Sequence, residues 1–100
     1  MPHFVYKLIP PRPSFAQDMT PEEGALMAAH SEHWRALMDE GRVLVFGPVL
    51  EPDGVWGMAV VEAAGADEVS AWGDADPAVA SGVMTFAVLP MLSAVVPAAA

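Results

Sequence analysis

The chain has 100 residues, of which 54% are hydrophobic and 17% are charged, so we expect one compact domain rather than two separate cores. Its 13 acidic and 4 basic residues give a net charge of -9, which repels phosphate backbones and anionic lipids and therefore predicts neither a nucleic-acid nor a membrane partner. Because the chain contains no cysteine, the sequence excludes a disulfide framework, a thiol nucleophile and thiolate metal ligands.

The first residues resemble no targeting signal. Met1, Pro2 and His3 lead directly into strand-like sequence, without the basic flank and apolar core of a signal peptide. Gly, Pro and acidic residues interrupt every apolar run before it reaches the roughly 20 residues that span a bilayer. We therefore expect a soluble protein in the cytoplasm.

A first strand is predicted over residues 3–9, where Phe4, Tyr6 and Leu8 alternate with the residues of the opposite face. A proline-rich loop follows, because each proline fixes its own φ angle and biases the preceding residue towards extended geometry. The loop carries Arg12, which has two interpretations. It is either a solvated loop charge or a group that folds over a pocket and holds an anionic substrate.

A helix is predicted over residues 20–40. Thr20 is placed to cap it, Pro21 suits the first helical position, and Glu23 completes a capping box. Gly41 is expected to end the helix. At 100° per residue one stripe is apolar, and it contains Leu26, Met27, Trp34, Leu37 and Met38.

The second half of the chain predicts a hairpin, a helical region and a last strand. The hairpin strands are residues 42–49 and 54–62, the helical region is 66–82 with a break and a new cap at Asp76-Pro77, and the last strand is 83–89. The alanine-rich end from Pro97 to Ala100 is expected to fray.

This order is β-α-β-β-α-β, which predicts an α+β, ferredoxin-like fold with a four-stranded antiparallel sheet and the helices on one face. The other sheet face is also apolar. Val43 and Val45 point to one side of the second strand, and Leu44 and Phe46 to the other. We therefore expect the sheet of a second copy to cover that face in a homodimer.

The most informative residue is His30, which lies in the middle of the apolar stripe of the first long helix, where a titratable ring needs a partner. It is either a core histidine bonded to a backbone carbonyl or a general base. His33 lies at the margin of the stripe and is expected at the surface. The two histidines lack a third ligand at diagnostic spacing, so no metal site is predicted.

Asp76 is fully explained as a helix cap before Pro77, although a carboxylate beside a histidine also orients the ring and stabilises the imidazolium. A single sequence does not show whether Asp76 lies near His30. The aromatic residues Tyr6, Trp34 and Phe46 suit either the core or the wall of a ligand cavity.

Four segments, in this order and spacing, resemble the YciI-like, or YCII-related, family of small bacterial proteins over nearly the whole chain. They are His30-Ser31-Glu32-His33-Trp34, the segment GRVLVFGP from Gly41 to Pro48, DADPAV from Asp74 to Val79, and Gly82-Val83. The resemblance implies a dimeric α/β barrel with a pocket in which His30 and Asp76 form the active-site pair. The long connection from Pro10 to Met19 departs from shorter members and indicates a subgroup with its own substrate.

The leading hypothesis is a lyase or isomerase without a cofactor, acting on a small organic acid or ring compound. His30 is the general base and Asp76 orients it, while the expected substrate contacts are Arg12, Tyr6, Trp34 and Phe46. The alternatives are a non-catalytic small-molecule binding or accessory domain and a purely structural dimer module.

Overall fold

The computed structural model describes residues 1–98, so Ala99 and Ala100, part of the end expected to fray, lie outside the described residues. Within this part of the chain there are four strands and four helices. In chain order they are β1 (His3–Ile9), α1 (Phe15–Asp18), α2 (Pro21–Asp39), β2 (Val43–Glu51), β3 (Gly54–Glu62), α3 (Ala66–Ala75), α4 (Pro77–Ala80) and β4 (Thr85–Pro90).

The strands form one antiparallel sheet in the order β2-β3-β1-β4. Tyr6 in the central strand β1 pairs with Ala59 in β3 and with Val88 in β4, and Ala59 also pairs with Phe46 in β2. This topology confirms the predicted α+β, ferredoxin-like arrangement.

Helices α2 and α3 cover the sheet face that carries Tyr6. The Tyr6 ring lies 4.4 Å from the ring of Trp34 on α2 and 5.2 Å from that of Phe86 on β4. Gly73 on α3 approaches Phe86 so closely that an added Cβ would lie 2.6 Å from the ring. The core therefore lies between this sheet face and the two longer helices.

Helix α2 has the predicted start and end. The Glu23 backbone N–H donates to Thr20 Oγ1 at 3.2 Å, and the Thr20 N–H donates to Glu23 Oε1 at 2.9 Å, which forms the capping box. Gly41 has φ +80°, a left-handed conformation that favours glycine at a helix end. These local signals position His30 two and a half turns into the helix.

Three boundaries differ from the predictions. The proline-rich connection contains the short helix α1, which no periodic pattern indicated, and its Phe15 is buried. Strand β2 spans Val43–Glu51, so it ends two residues later than the predicted range 42–49. Strand β4 begins two residues later than predicted, since Gly82 adopts φ +85° and the Met84 N–H donates to Ala78 O.

The sheet face opposite the helices is open in the single chain. By the register of the strands its centre carries Val5, Val45, Val60 and Leu89, and Lys7 and Glu62 lie on the same face. The exposed fractions of Val45 and Leu89 are 48% and 50%. Among the helices of residues 1–98, none has the length and apolar character needed to cross a membrane.

Candidate active site

Asp76 lies at the centre of the site, between α3 and α4. Its side chain has an exposed fraction of 0%. Its Oδ1 accepts a hydrogen bond from the Ala78 backbone N–H at 2.9 Å, so the carboxylate caps α4 as the Asp-Pro pattern predicted. This bond fixes the side chain and leaves Oδ2 for other partners.

Three side chains from two other elements converge on Oδ2 of Asp76. The Tyr6 hydroxyl of β1 donates at 3.1 Å, and the Trp34 indole N–H of α2 donates at 2.7 Å. The Nδ1 atom of His30, also on α2, lies 2.8 Å away. Because a buried carboxylate without partners is costly, this set of donors is what permits Asp76 to be buried in ionised form.

The electrostatics of the cluster favour a negative Asp76. Burial alone opposes its ionisation, but the hydrogen bonds from His30 and Trp34 and the N–H of Ala78 hold the pKa of this carboxyl below its usual value. Burial, together with the nearby negative charge of Asp76, raises the pKa of Tyr6 far above its usual range. Tyr6 therefore stays a neutral hydroxyl that donates to a carboxylate.

The ionised carboxylate fixes the tautomer of His30. A carboxylate only accepts hydrogen bonds, so Nδ1 of His30 carries the proton and donates to Asp76. In the neutral ring Nε2 is then unprotonated. Within residues 1–98 Nε2 has no hydrogen-bond partner, and the His30 side chain, 12% exposed, lines a cavity. Nε2 is thus the nitrogen left for a ligand.

The cavity has a volume of about 300 Å³ and lies against the helix-covered face of the sheet. Its walls are mostly aromatic and aliphatic, with His30 and Ser31 from α2 as polar members. The remaining walls include Tyr6, Leu8, Phe15, Met27, Trp34, Phe46, Pro48, Trp56 and Met84. Such a space suits a small, flat and largely apolar molecule.

The predicted site residues divide into two groups. Tyr6, Trp34 and Phe46 line the cavity with His30. Arg12, predicted to contact an anionic substrate, is not among the cavity-lining residues that the structure describes, and its guanidinium forms ion pairs with Asp18 and Glu23. The proline-rich connection does reach the cavity, but through Phe15 rather than through its arginine.

The structure places His33 and Lys7 outside the group around Asp76. His33 is half-buried rather than at the surface: its Nε2 lies 2.9 Å from the Trp72 carbonyl oxygen and its ring meets that of Trp34 edge-on. The Lys7 ammonium lies 4.9 Å from the centre of the Trp56 ring. His33 therefore packs against Trp34, and it is not one of the hydrogen-bond partners of Asp76.

Sequence reasoning missed the donors that hold Asp76. Tyr6 and Trp34 were predicted as cavity walls or core, but their polar atoms both donate to Oδ2. A buried tyrosine or tryptophan usually finds a hydrogen-bond partner, so the signal was that both residues lie on apolar stripes and need an acceptor. Phe15 and Ser31 were also missed as lining residues.

Comparison with known proteins identifies the family. The profile of the YCII-related domain matches residues 4–92. Among solved structures, 5-chloro-2-hydroxyhydroquinone dehydrochlorinase from Burkholderia phenoliruptrix AC1100, in complex with 2,5-dihydroxybenzoquinone, is similar with a TM-score of 0.62 and 24% identity, covering 88% of this chain and 90% of that one. This likeness shows the fold. No curated protein sequence matches the chain. With the family profile matched over nearly its whole length, the chain belongs to the YCII-related domain family.

Proposed function

We propose that the protein is an enzyme that transfers a proton from a small hydroxylated ring compound to Nε2 of His30. One observation carries the proposal. His30 is joined through Nδ1 to a buried carboxylate and lines, through the rest of its ring, a cavity of ligand size. A histidine held in this way has its basic nitrogen directed away from its partner, which is the arrangement of a general base.

The proposed chemistry is a proton transfer followed by elimination or isomerisation. Nε2 of His30 takes a proton from an O–H or C–H bond of the ligand, and Asp76 at 2.8 Å stabilises the imidazolium that forms. In a lyase reaction the ring first tautomerises, so that an O–H proton moves to the carbon that bears the leaving group. A second O–H proton then goes to Nε2, and its electron pair, passed through the ring, expels the leaving group with the bonding electrons. In an isomerase reaction the proton returns at another atom of the ligand. Neither reaction requires an external oxidant or reductant.

The cavity walls favour a ring compound over an organic acid. Aromatic side chains such as Trp34, Phe46 and Phe15 give flat apolar surfaces for a ring. The ionised Asp76 behind His30 disfavours a second negative charge, and Arg12 is already paired with two carboxylates. The ligand of the similar dehydrochlorinase is a dihydroxylated ring, which supports the same class here.

We also propose that the functional unit is a homodimer. The open sheet face carries Val45 and Leu89, each about half exposed in the single chain. Exposed apolar side chains of this kind are costly in water, and a second copy's sheet would bury them. A dimer of this kind matches what the family resemblance implies for the sheet faces.

The test uses 2,5-dihydroxybenzoquinone as a binding probe and a chlorinated hydroxyhydroquinone as a substrate. Binding is measured by quenching of tryptophan fluorescence, since Trp34 lines the cavity, and turnover by chloride release. We expect His30→Gln to reduce turnover by about 10²- to 10⁴-fold, the usual contribution of a general base. The matched control is His3→Gln, at the start of β1 and outside the cavity-lining residues of the described chain.

The outcomes distinguish an enzyme from a domain that only binds ring compounds. If the wild type binds the quinone but releases no chloride, the proposed elimination from this substrate is refuted, and the binding of ring compounds remains. If the wild type turns over and His30→Gln does so equally well, the assignment of His30 as general base is refuted.

A further inference from the structure

The connection between β1 and α2 forms part of the cavity wall. Phe15 in α1 is 4% exposed and lines the cavity, as do Ala16 and Met19 at either side of the α1 segment. Helix α1 itself is only four residues long. The side chain of Ser14 does not cap its backbone N–H groups, although Ser14 Oγ donates to Asp18 Oδ2 at 2.6 Å. A segment of this length is not stable by itself, so its position depends on what holds it.

Arg12 supplies that attachment with all of its guanidinium nitrogens. Nε donates to Asp18 Oδ1 at 2.8 Å, and Nη2 also donates to the Asp18 carbonyl oxygen at 3.1 Å. Nη1 and Nη2 donate to the two carboxylate oxygens of Glu23 at 2.9 and 2.7 Å. Arg12 thus joins the end of α1 to the first turn of α2 by a bidentate pair, a contact that a lysine cannot reproduce.

The same guanidinium lies over the phenylalanine that it positions. The carbon Cζ of Arg12 is 5.2 Å from the centre of the Phe15 ring, so the ring is held between the arginine and the cavity. Glu23 is fixed by its own role in the capping box of α2, where its Oε1 accepts from the Thr20 N–H. The hydrogen bonds from Arg12 lower the pKa of Glu23 to about 2, so the pair stays charged near neutral pH.

We propose that Arg12 is a positioning residue that fixes Phe15 as a wall of the cavity and thereby sets the size of ring that the cavity accepts. This inference rests on the proposed binding of ring compounds. It replaces the predicted contact between Arg12 and an anionic substrate with an indirect role, in which the arginine acts on the ligand through the phenylalanine. The expected effect is on selectivity between ligands rather than on the proton transfer at His30.

The first measurement needs no ligand. Hydrogen exchange is measured for the amides of Gln17 and Asp18, which donate to the Ser14 carbonyl oxygen, in wild type, Arg12→Gln and Arg12→Lys. We expect exchange to accelerate by about fivefold in Arg12→Gln, the scale of a partly exposed ion pair, and by less in Arg12→Lys. Arg35→Gln removes the same charge from the exposed side of α2 and should leave these amides unchanged.

The second measurement compares two probes of different size. Dissociation constants are obtained for 2,5-dihydroxybenzoquinone and for 2-hydroxy-1,4-naphthoquinone, which carries a second fused ring. We expect wild type to prefer the smaller quinone and Arg12→Gln and Phe15→Ala to shift the ratio of the constants towards the larger one by about fivefold. A general loss of stability would weaken both probes alike and leave this ratio unchanged.

Each result decides a different point. If exchange in α1 is unaffected by Arg12→Gln, or if it accelerates while the selectivity ratio stays constant, the positioning role is refuted. If neither quinone binds the wild type, the proposed ring-compound function fails and the selecting role fails with it. The exchange data then still show whether Arg12 holds Phe15 in place.

Discussion

Replacement of Asp76 by asparagine tests the central cluster most directly. In the wild type, Oδ1 of Asp76 accepts from the Ala78 N–H, and Oδ2 accepts from Tyr6, Trp34 and His30. Asparagine has one oxygen and one NH₂ group in these two places. If the NH₂ replaces Oδ1, it faces the N–H of Ala78, and if it replaces Oδ2, it faces the indole N–H of Trp34, which is only a donor.

Either orientation therefore leaves at least one buried donor without an acceptor. An unsatisfied buried donor costs about 1–3 kcal/mol, and the bonds that remain lose the part of their strength that comes from the negative charge. We expect Asp76→Asn to lower the free energy of unfolding by roughly 2–4 kcal/mol. For a domain of this size the midpoint of thermal unfolding should fall by about 10–25 °C.

The assay is urea unfolding followed by tryptophan fluorescence and circular dichroism. The matched control is Glu68→Gln, because the ion pair of Glu68 with Arg42 at 3.2 Å is exposed, and the same change from carboxylate to amide should cost less than about 1 kcal/mol there. If Asp76→Asn and Glu68→Gln lower the free energy of unfolding equally, the proposed importance of the buried donors around Asp76 is refuted.

The pH dependence of the free energy of unfolding tests whether the negative charge of Asp76 stabilises the fold. The folded-state pKa of Asp76 is held below its usual value, so its ionisation stabilises the fold fully above the unfolded pKa of about 3.9. This stabilisation is lost as the pH falls through the folded pKa. The difference between wild type and Asp76→Asn should therefore shrink as the pH is lowered below about 4. A difference that is constant from pH 7 to pH 3 would show that the charge of Asp76 contributes nothing.

Three other changes test neighbouring features. Gly73→Ala places a Cβ about 2.6 Å from the Phe86 ring and should lower the free energy of unfolding by about 1–3 kcal/mol, and an unchanged urea midpoint would contradict this close packing. The pKa of Tyr6 is raised in the folded state. Its contribution to the free energy of unfolding is therefore complete below the unfolded pKa of about 10 and is lost as the pH rises above that value. Tyr6→Phe should therefore lose less stability than wild type between pH 9 and pH 11, and equal losses would refute the assignment. Val45→Asp introduces a charge on the open sheet face and should convert a dimer to monomers in light scattering, whereas a wild type that is already monomeric would refute the proposed dimer.

The elements with local signals could be predicted from the sequence. The capping box between Thr20 and Glu23 defines the start of α2 within four residues of chain, and Asp76-Pro77 marks the break between α3 and α4. Such patterns involve groups that are neighbours in any conformation of the chain, so no tertiary information is required. The ferredoxin-like topology followed from their order.

Helix α1 could not be predicted for a physical reason. Its four residues are too few for a periodic pattern, and the prolines before it indicate a loop. What stabilises it is the burial of Phe15 and the contacts of Arg12 with Asp18 and with Glu23 in α2, and no local pattern of the sequence indicates these contacts. The interpretation of Arg12 as a substrate contact came from the charge alone, without the two carboxylates that flank it in space.

The pairing of His30 with Asp76 lies beyond single-sequence reasoning because 46 residues separate them, and Tyr6 lies 70 residues from Asp76. The sequence left two interpretations for each member of the pair. For Asp76, a helix cap and a partner of histidine were alternatives, but the carboxylate has two oxygens, and the structure uses Oδ1 for the cap and Oδ2 for the side chains. The cap is what holds Oδ2 in a fixed place, so the structural role supports the proposed chemical one.

For His30, the alternatives were a backbone carbonyl partner and a functional role. A backbone carbonyl in the place of the Asp76 carboxylate would fix the same tautomer of His30, with the proton on Nδ1 and the lone pair on Nε2. The two differ once Nε2 takes a second proton, because a charge-assisted hydrogen bond is roughly twice as strong as a neutral one. The hydrogen bond from the imidazolium to a carboxylate is strengthened by the opposite charges of the two groups. A hydrogen bond to a neutral carbonyl is strengthened far less. Tyr6 and Trp34 donate to Asp76 and favour its ionised form whether or not His30 carries a second proton. In the proposed reaction the carboxylate is therefore in place to stabilise the imidazolium before the ligand binds.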